Sequence, residues 1–356
     1  MGYGISKEKR LHCGKNSMNI FCDFHHAGMA QGIQRLFHDR LGHKVYFPNQ
    51  KWCRDVSIEW PGPDGGLIWT LCSELGDTWA GCDLPELISS DRFFEIDWDI
   101  VLISRTESQS VIKHLLDLHQ SSPKLIAVCG NEGGGFDYEW IPNLMSSALS
   151  TFIQAPASVY RLLYGQEFGR HIMDAPFEPI TNDSLHTVNA FMHNHQHFRD
   201  PYAGPDGDGS TPFGLWLDVR GRLPAHKFRS FGNTCEHGLK FNVQMPEAYR
   251  SGSLTWHYKP AEGYGFSVLQ SVASGRLVLV QRGFYDDRMA HKYLLPGETC
   301  FETDWSAKSI ADIIWWYSSS LDRANEYAEK CYKIGKKMFN WALEADQVRE
   351  WLKELK

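Results

Sequence analysis

Lys259-Pro-Ala-Glu-Gly-Tyr-Gly265 runs directly into Phe266-Ser-Val-Leu-Gln-Ser-Val-Ala-Ser-Gly-Arg-Leu-Val-Leu-Val280. Val268, Leu269 and Val272 share one face at helical spacing, so Phe266–Ala273 reads as an amphipathic helix. Gly275 follows it, and Leu277–Val280 is an apolar run of the kind buried in parallel sheets. Ahead of the helix, Gly263 and Gly265 allow positive φ and a close approach of backbone to ligand. The first N–H groups of a helix lack intrahelical partners and carry a partial positive charge, which suits a phosphate. Glu262 stands beside those donors, where a carboxylate can accept hydrogen bonds from hydroxyl groups. Gln270, two turns further on, can point towards the same ligand.

Outward from this cassette, short apolar runs alternate with helical ones. Asn19–Asp23 reads as a strand, Met29–Leu41 as a helix and Lys44–Phe47 as a second strand after Gly42. Residues 48–90 are rich in Trp, Pro and Gly and read as loops with short helices. Ile100–Ser104 and Leu125–Cys129 read as buried parallel strands around a helix at Ser108–His119. Thr151–Gln154 is expected to be a strand and Ser158–Tyr164 a helix. After the Pro-rich stretch 175–185, strands are expected at His186–Phe191, Thr255–Tyr258 and Leu277–Val280, and a helix at Phe213–Arg220. From Ala307 the chain reads as helical to its end, with Trp305, Trp315 and Trp316 as packing residues. Alternation of this kind predicts a doubly wound α/β sheet in each half.

The composition sets the class. With 356 residues, 42% hydrophobic and 13% aromatic, the chain can bury two cores. No apolar run reaches the roughly 20 residues that a membrane span requires. Nine scattered cysteines with no C-x-x-C pair fit reduced thiols and a cytoplasmic location. A formal net charge of −7 gives no general attraction to nucleic acid or anionic lipid. The first 17 residues read as a flexible extension, and Gly14-Lys15 lacks the glycine spacing of a phosphate-binding P-loop.

The cassette resembles the donor-binding motif of GT-B glycosyltransferases, especially the retaining group with an E-x7-E pattern (family 4 and family 1-like). There the order is Glu-Gly-aromatic-Gly, a helix, Ala-x-Gly and a strand. Glu262, Gly263, Tyr264, Gly265, Ala273 and Gly275 match it, while Gln270 stands where the second acid belongs. The resemblance implies two Rossmann-like domains facing a central cleft. Its expected boundaries are an extension at 1–17, an acceptor domain at 18–174, a linker at 175–185, a donor domain at 186–337 and a crossing helix at 338–356. It implies transfer of a sugar from a nucleoside-diphosphate sugar, UDP most simply, to a hydroxyl acceptor, with retention, without a metal and without a cofactor. Glu262, Gly263, Tyr264, Gly265, Phe266 and Gln270 would then hold the donor.

A departing diphosphate needs cations. Arg222 and Lys227, in Gly221-Arg222-Leu-Pro-Ala-His-Lys227, have the spacing of the pair used in that group, with Lys259 and Arg199 as alternatives. His193, His195 and His197 could hold zinc from one face of an extended segment, but His193 reads more simply as a cleft residue for phosphate or sugar. On the acceptor side, His25, His26 and Gly28 follow the first strand, Arg105 follows another, and Asn131 and Glu132 follow a third. In such sheets ligands bind at the carboxyl ends of strands. Two rival functions stay open: an epimerase or hydrolase of the same fold, and a degenerate, non-catalytic binding protein. The acceptor stays open among a glycan, a lipid-linked sugar, a small metabolite, a protein and a modified base in viral DNA. So does the choice between monomer and dimer.

Overall fold

The structure is a computed structural model. It describes residues 17–23, 30, 32–49, 86–104, 106–129, 135–146, 160–163, 176–191, 211–232, 235–238, 244–258, 265–286, 289–339 and 341–356. They form two parallel sheets joined by one segment between residues 176 and 186 and by one helix near the C-terminus.

The first sheet has the order β3-β2-β1-β4-β5-β6-β7. Its strands are β1 (Asn19–Cys22), β2 (Lys44–Pro48), β3 (Leu87–Ile88), β4 (Ile100–Ile103), β5 (Lys124–Cys129), β6 (Asn143–Ser146) and β7 (Tyr160–Leu163). Every pairing is parallel, and Ile20 is in register with Val45 on one side and Ile100 on the other. Strand order therefore reverses at β1 and β4. Ile100-Val-Leu-Ile103 is buried at all four positions, as a strand covered on both faces requires. Helices α1 (Gln34–Arg40), α2 (Ser90–Phe93) and α3 (Thr106–His119) complete this half, α1 being wound as a π-helix.

The second sheet has the order β12-β11-β10-β8-β9. It comprises β8 (Thr187–Phe191), β9 (Lys227–Phe231), β10 (Leu254–His257), β11 (Leu277–Gln281) and β12 (Cys300–Thr303). Order reverses between β8 and β10. The helices here are α4 (Asn182–Leu185), α5 (Pro212–Arg222), α6 (Met245–Arg250), α7 (Phe266–Ala273), α8 (Ala307–Ser318) and α9 (Leu321–Met338), with a 3-10 turn at Met289–Tyr293. Helix α10 (Trp341–Lys353) then packs against α1, burying Val348 and Trp351.

The first crossing is fastened to the second sheet. The Ile180 N–H donates to Asn325 Oδ1 at 2.7 Å, and Asn325 Nδ2 donates back to the Ile180 carbonyl at 3.0 Å. Arg276, 1% exposed, faces no carboxylate in its hydrogen bonding. Its guanidinium donates to the carbonyls of Gly252 (2.9 Å), Ser274 (3.3 Å), Gly275 (3.4 Å) and Glu178 (3.1 Å). Burial lowers its pKa below the ordinary arginine value.

Several expectations are corrected. Residues 160–163 form a strand, not part of a helix, because Tyr160–Leu163 pairs with Asn143–Ser146, which sequence periodicity does not mark as a strand. Strands β9 and β12 and helix α6 were likewise not expected; each is short and interrupted by polar residues. Trp315 is 62% exposed and Trp316 39%, so neither is a core residue; Arg323 stacks on the Trp316 ring at 4.7 Å. The expected strand at Thr151–Gln154 lies outside the described residues.

Candidate functional site

Strand β10 and helix α7 carry the centre of the site. Trp256 holds β10 from one face, edge-on to Trp216 at 5.1 Å. On the other face the Ser271 hydroxyl bonds Thr255 Oγ1 at 2.6 Å and the Arg276 carbonyl at 2.7 Å, fixing α7 across the strand. Tyr258 ends the strand with its phenol bonded to Thr303, and burial raises its pKa above the ordinary tyrosine value. The carboxyl end of β10 is thus anchored where the chain leaves for residues 259–264.

Gly265 opens α7 in the left-handed region at φ 78°. A Cβ there would lie 3.1 Å from the Ala290 methyl and 3.3 Å from Tyr285 Cε1. Glycine is therefore favoured by conformation, and an added methyl would press on Ala290 and Tyr285. The helix has no acid in its first turn and no side-chain cap among the described residues. The positive end of such a helix suits an anionic ligand. Beneath it, the buried His257 and Tyr285 rings lie 5.8 Å apart. Gln270, on the same helix, is 5% exposed.

At the other end of α7, Gly275 has φ 69°, and an added Cβ would meet the Ala328 carbonyl at 2.8 Å, Tyr332 Cβ at 3.0 Å and Phe177 at 3.2 Å. The motif helix so spans from Gly265 to the crossing segment.

The first sheet presents a second edge at the switch between β1 and β4. Asp23, 1% exposed, ends β1. Its carboxylate accepts the Ser104 N–H at 2.7 Å and the Ser108 hydroxyl, tying the turn after β4 to the start of α3. Gln109 Nε2 donates to the Gly135 carbonyl at 2.9 Å, and Gln109 Oε1 accepts the Asp137 N–H at 2.8 Å. Thr106 lies 3.2 Å from where a Gly135 Cβ would stand. Asp23, the first turns of α3 and residues 135–137 are thereby joined.

Of the residues expected from sequence, Gly265 and Gln270 stand on α7, as does Phe266 by its backbone. Arg222 and Lys227 are not brought to them. Arg222 closes α5 and Lys227 opens β9 in register with Thr187, so both are exposed at the amino end of the sheet, whereas Gly265 follows its carboxyl end. Glu262, Lys259, Gly263, Tyr264, His193, Arg199, His25, His26, Gly28, Arg105, Asn131 and Glu132 lie outside the described residues. Among the described residues no group of His, Cys, Asp and Glu is arranged to hold a metal, and no helix is long and apolar enough to cross a membrane. Sequence reasoning missed Tyr285 and Ala290, which no local signal ties to Gly265. It also passed over Asp23, whose signal was present: a lone acid closing a buried apolar strand.

No protein-family model matches the chain, and no curated protein matches it in sequence. Its fold matches solved structures over nearly the whole length. HepE of Anabaena, in complex with UDP and glucose, has a TM-score of 0.62 at 11% identity, covering 96% of this chain and 100% of that one. A glycosyltransferase from Rickettsia africae ESF-5 gives 0.59 at 12% identity, over 95% and 98%. Sucrose-phosphate synthase from Thermosynechococcus elongatus gives 0.52 at 10%, over 95% and 99%. The chain has the GT-B fold, with two Rossmann-like domains facing a central cleft and the last helix crossing back.

Proposed function

We propose that the chain transfers a sugar from a UDP-sugar to a hydroxyl acceptor, with retention of configuration and without a divalent metal. One observation carries this reading. The N-terminal end of α7, with no acid in its first turn and opened by left-handed Gly265, stands at the switch point of the second sheet immediately after Glu262-Gly-Tyr. The likeness in fold to HepE, whose solved complexes hold UDP and UDP-glucose, supports the choice of donor.

In this reading the α7 amides take the diphosphate charge, a preorganised electrostatic role. Glu262 accepts hydrogen bonds from the sugar hydroxyls and orients the ring. Lys259 and Arg199 supply the cations, in place of Arg222 and Lys227. The bond from the anomeric carbon to the diphosphate oxygen breaks and UDP leaves with its electron pair. The acceptor oxygen bonds the anomeric carbon on the same face, and its proton passes to the departing diphosphate. Residues 18–174 serve the acceptor and 186–337 the donor, in the cytoplasm.

The test is turnover of UDP-glucose with and without EDTA, with the anomeric configuration of product read by NMR. Glu262→Ala is expected to abolish transfer while UDP still raises the melting temperature. A folded Glu262→Ala variant with undiminished transfer overturns the assignment. A second reading, donor binding without turnover, is favoured by the neutral, buried Gln270 at the position of the second acid. It predicts UDP stabilisation with no product from any acceptor.

A further inference from the structure

Past the end of β11 the chain turns at Gly283, φ 74°, and returns through the 3-10 turn to β12 at the edge of the second sheet. A cavity of about 420 Å³ lies against this segment and β12. Small ligands are held in cavities of about 300–1,000 Å³, so the size suits one. Among the described residues none of α7 lines it, although Tyr285 and Ala290, which press on Gly265, belong to the same segment. The cavity is therefore beside the start of α7 and separate from it.

Its lining joins an apolar side, Leu294 and Pro296, to four charged side chains. Glu302 comes from β12, in register with Val280, and its carboxylate has no hydrogen bond or ion pair among the described residues. Arg282 is held by Asp304 at 3.2 Å, and Asp286 by His291 at 3.3 Å. Both pairs are exposed and therefore weak, so a ligand can draw either partner to itself. With His291 neutral, Arg282 and Lys292 balance Asp286 and Glu302, and the lining carries no net charge. An ion brought there meets as much repulsion as attraction. A sugar hydroxyl both donates and accepts: the two carboxylates accept from it, and the guanidinium and ammonium donate to it. The apolar side suits the C–H face of a pyranose ring.

We propose that this cavity is a carbohydrate subsite. It takes an uncharged sugar unit of the acceptor, beyond the unit that receives the transferred sugar, with Glu302 accepting from its hydroxyls and Arg282 donating to them. The acceptor role rests on the glycosyltransferase reading above. Of the acceptors left open by the sequence, it selects a neutral glycan of two or more units.

Binding tests this without turnover. The full chain, without nucleotide, is titrated with maltose, cellobiose and N,N′-diacetylchitobiose, and with inorganic phosphate as the anionic probe, followed by ligand-observed NMR. At least one disaccharide is expected to bind the wild-type chain, and to bind tighter than phosphate. Glu302→Ala and Arg282→Ala each delete a hydrogen bond to a charged group, and each is expected to weaken that disaccharide about tenfold. Glu302→Gln keeps an acceptor oxygen and is expected to weaken it only about threefold. UDP affinity, read by calorimetry, should stay within about twofold of wild type in all of these variants.

Failure of every disaccharide to bind overturns the proposal, as does an affinity unchanged in both Glu302→Ala and Arg282→Ala. Phosphate binding tighter than every disaccharide, and lost in Arg282→Ala, makes the cavity an anion site and overturns it too. So does a parallel loss of UDP affinity, which would make the cavity part of the donor site. Should Glu302→Ala fail to fold, Glu302→Gln and Arg282→Ala decide the matter. The donor reading fails separately, by absence of UDP stabilisation in the wild-type chain; a disaccharide that still binds then overturns the acceptor role and not the sugar site.

Discussion

Asn143 and Lys356 hold each other through two hydrogen bonds across 213 positions of sequence. Asn143 Nδ2 donates to the Lys356 carbonyl at 3.1 Å, and the Lys356 N–H donates to Asn143 Oδ1 at 3.0 Å. The same Nδ2 also donates to the Leu125 carbonyl at 2.9 Å, so one buried amide joins β5, β6 and the C-terminus. Asn143→Ala leaves those groups unpaired, and the expected loss is about 1–3 kcal/mol, read by denaturant unfolding. Removal of 354–356 is expected to be non-additive with it, because both changes delete the same contact.

Gly265 and Gly42 have nearly the same φ, 78° and 76°, in different surroundings. An added Cβ at Gly42 meets nothing within 4 Å, so Gly42→Ala bears only the left-handed penalty of about 1–2 kcal/mol. Gly265→Ala adds tight contacts with Ala290 and Tyr285 at the start of α7. It is expected to weaken UDP binding at least tenfold on top of a similar stability loss, whereas Gly42→Ala leaves UDP affinity unchanged. Calorimetric titration with UDP checks both. Equal UDP affinity in the two variants would remove α7 from the donor site.

Burial lowers the pKa of His43 and of His226 below the ordinary 6.5, with the neighbouring His186 adding to the effect at His226. At His43, Asp99 opposes the shift and Arg349 adds to it. A base whose folded pKa is depressed binds fewer protons folded than unfolded, so stability is complete above about pH 6.5 and declines as pH falls towards the folded values. The slope is at most about 1.4 kcal/mol per pH unit for each histidine. Unfolding curves between pH 7.5 and 5.5 are expected to show it, and His226→Gln is expected to flatten it. A stability that rises on acidification over that range contradicts the assignment.

Burial pushes the Cys300 thiol up to about 12 and raises Cys331 further, against an ordinary value of 9.0. The thiolate is the reactive form. Iodoacetamide at pH 8 is expected to leave both unmodified in the folded chain and to label both in denaturant, as peptide mass spectrometry reads. Labelling of either in the native protein would place it in a site that opens.

How much of this was legible beforehand follows from what each signal depends on. The α7 cassette was readable because helix, glycine stops and buried strand are local patterns, and Phe266–Ala273 has the expected bounds. Strands β6 and β7 were not, since Asn143–Ser146 and Tyr160–Leu163 are strands by virtue of each other and carry no alternation of their own. The Arg222–Lys227 pair had the right spacing at the wrong end of the sheet. Spacing alone does not tell the amino end of a strand from its carboxyl end until the strand itself, Lys227–Phe231, is found.

Arg276 sits where the crossing segment, the turn after α6 and the end of α7 meet. Its hydrogen bonds all end on main-chain oxygens, those of Glu178, Gly252, Ser274 and Gly275. The guanidinium therefore reads the path of the chain and not the identity of the residues along it. The side chain at 178 can vary without loosening that grip, whereas position 252 holds to glycine for a separate reason, since a Cβ there would lie 2.7 Å from Asn189 Nδ2. A change in the route taken between the two sheets is felt at once, deep beneath the strand that follows the motif.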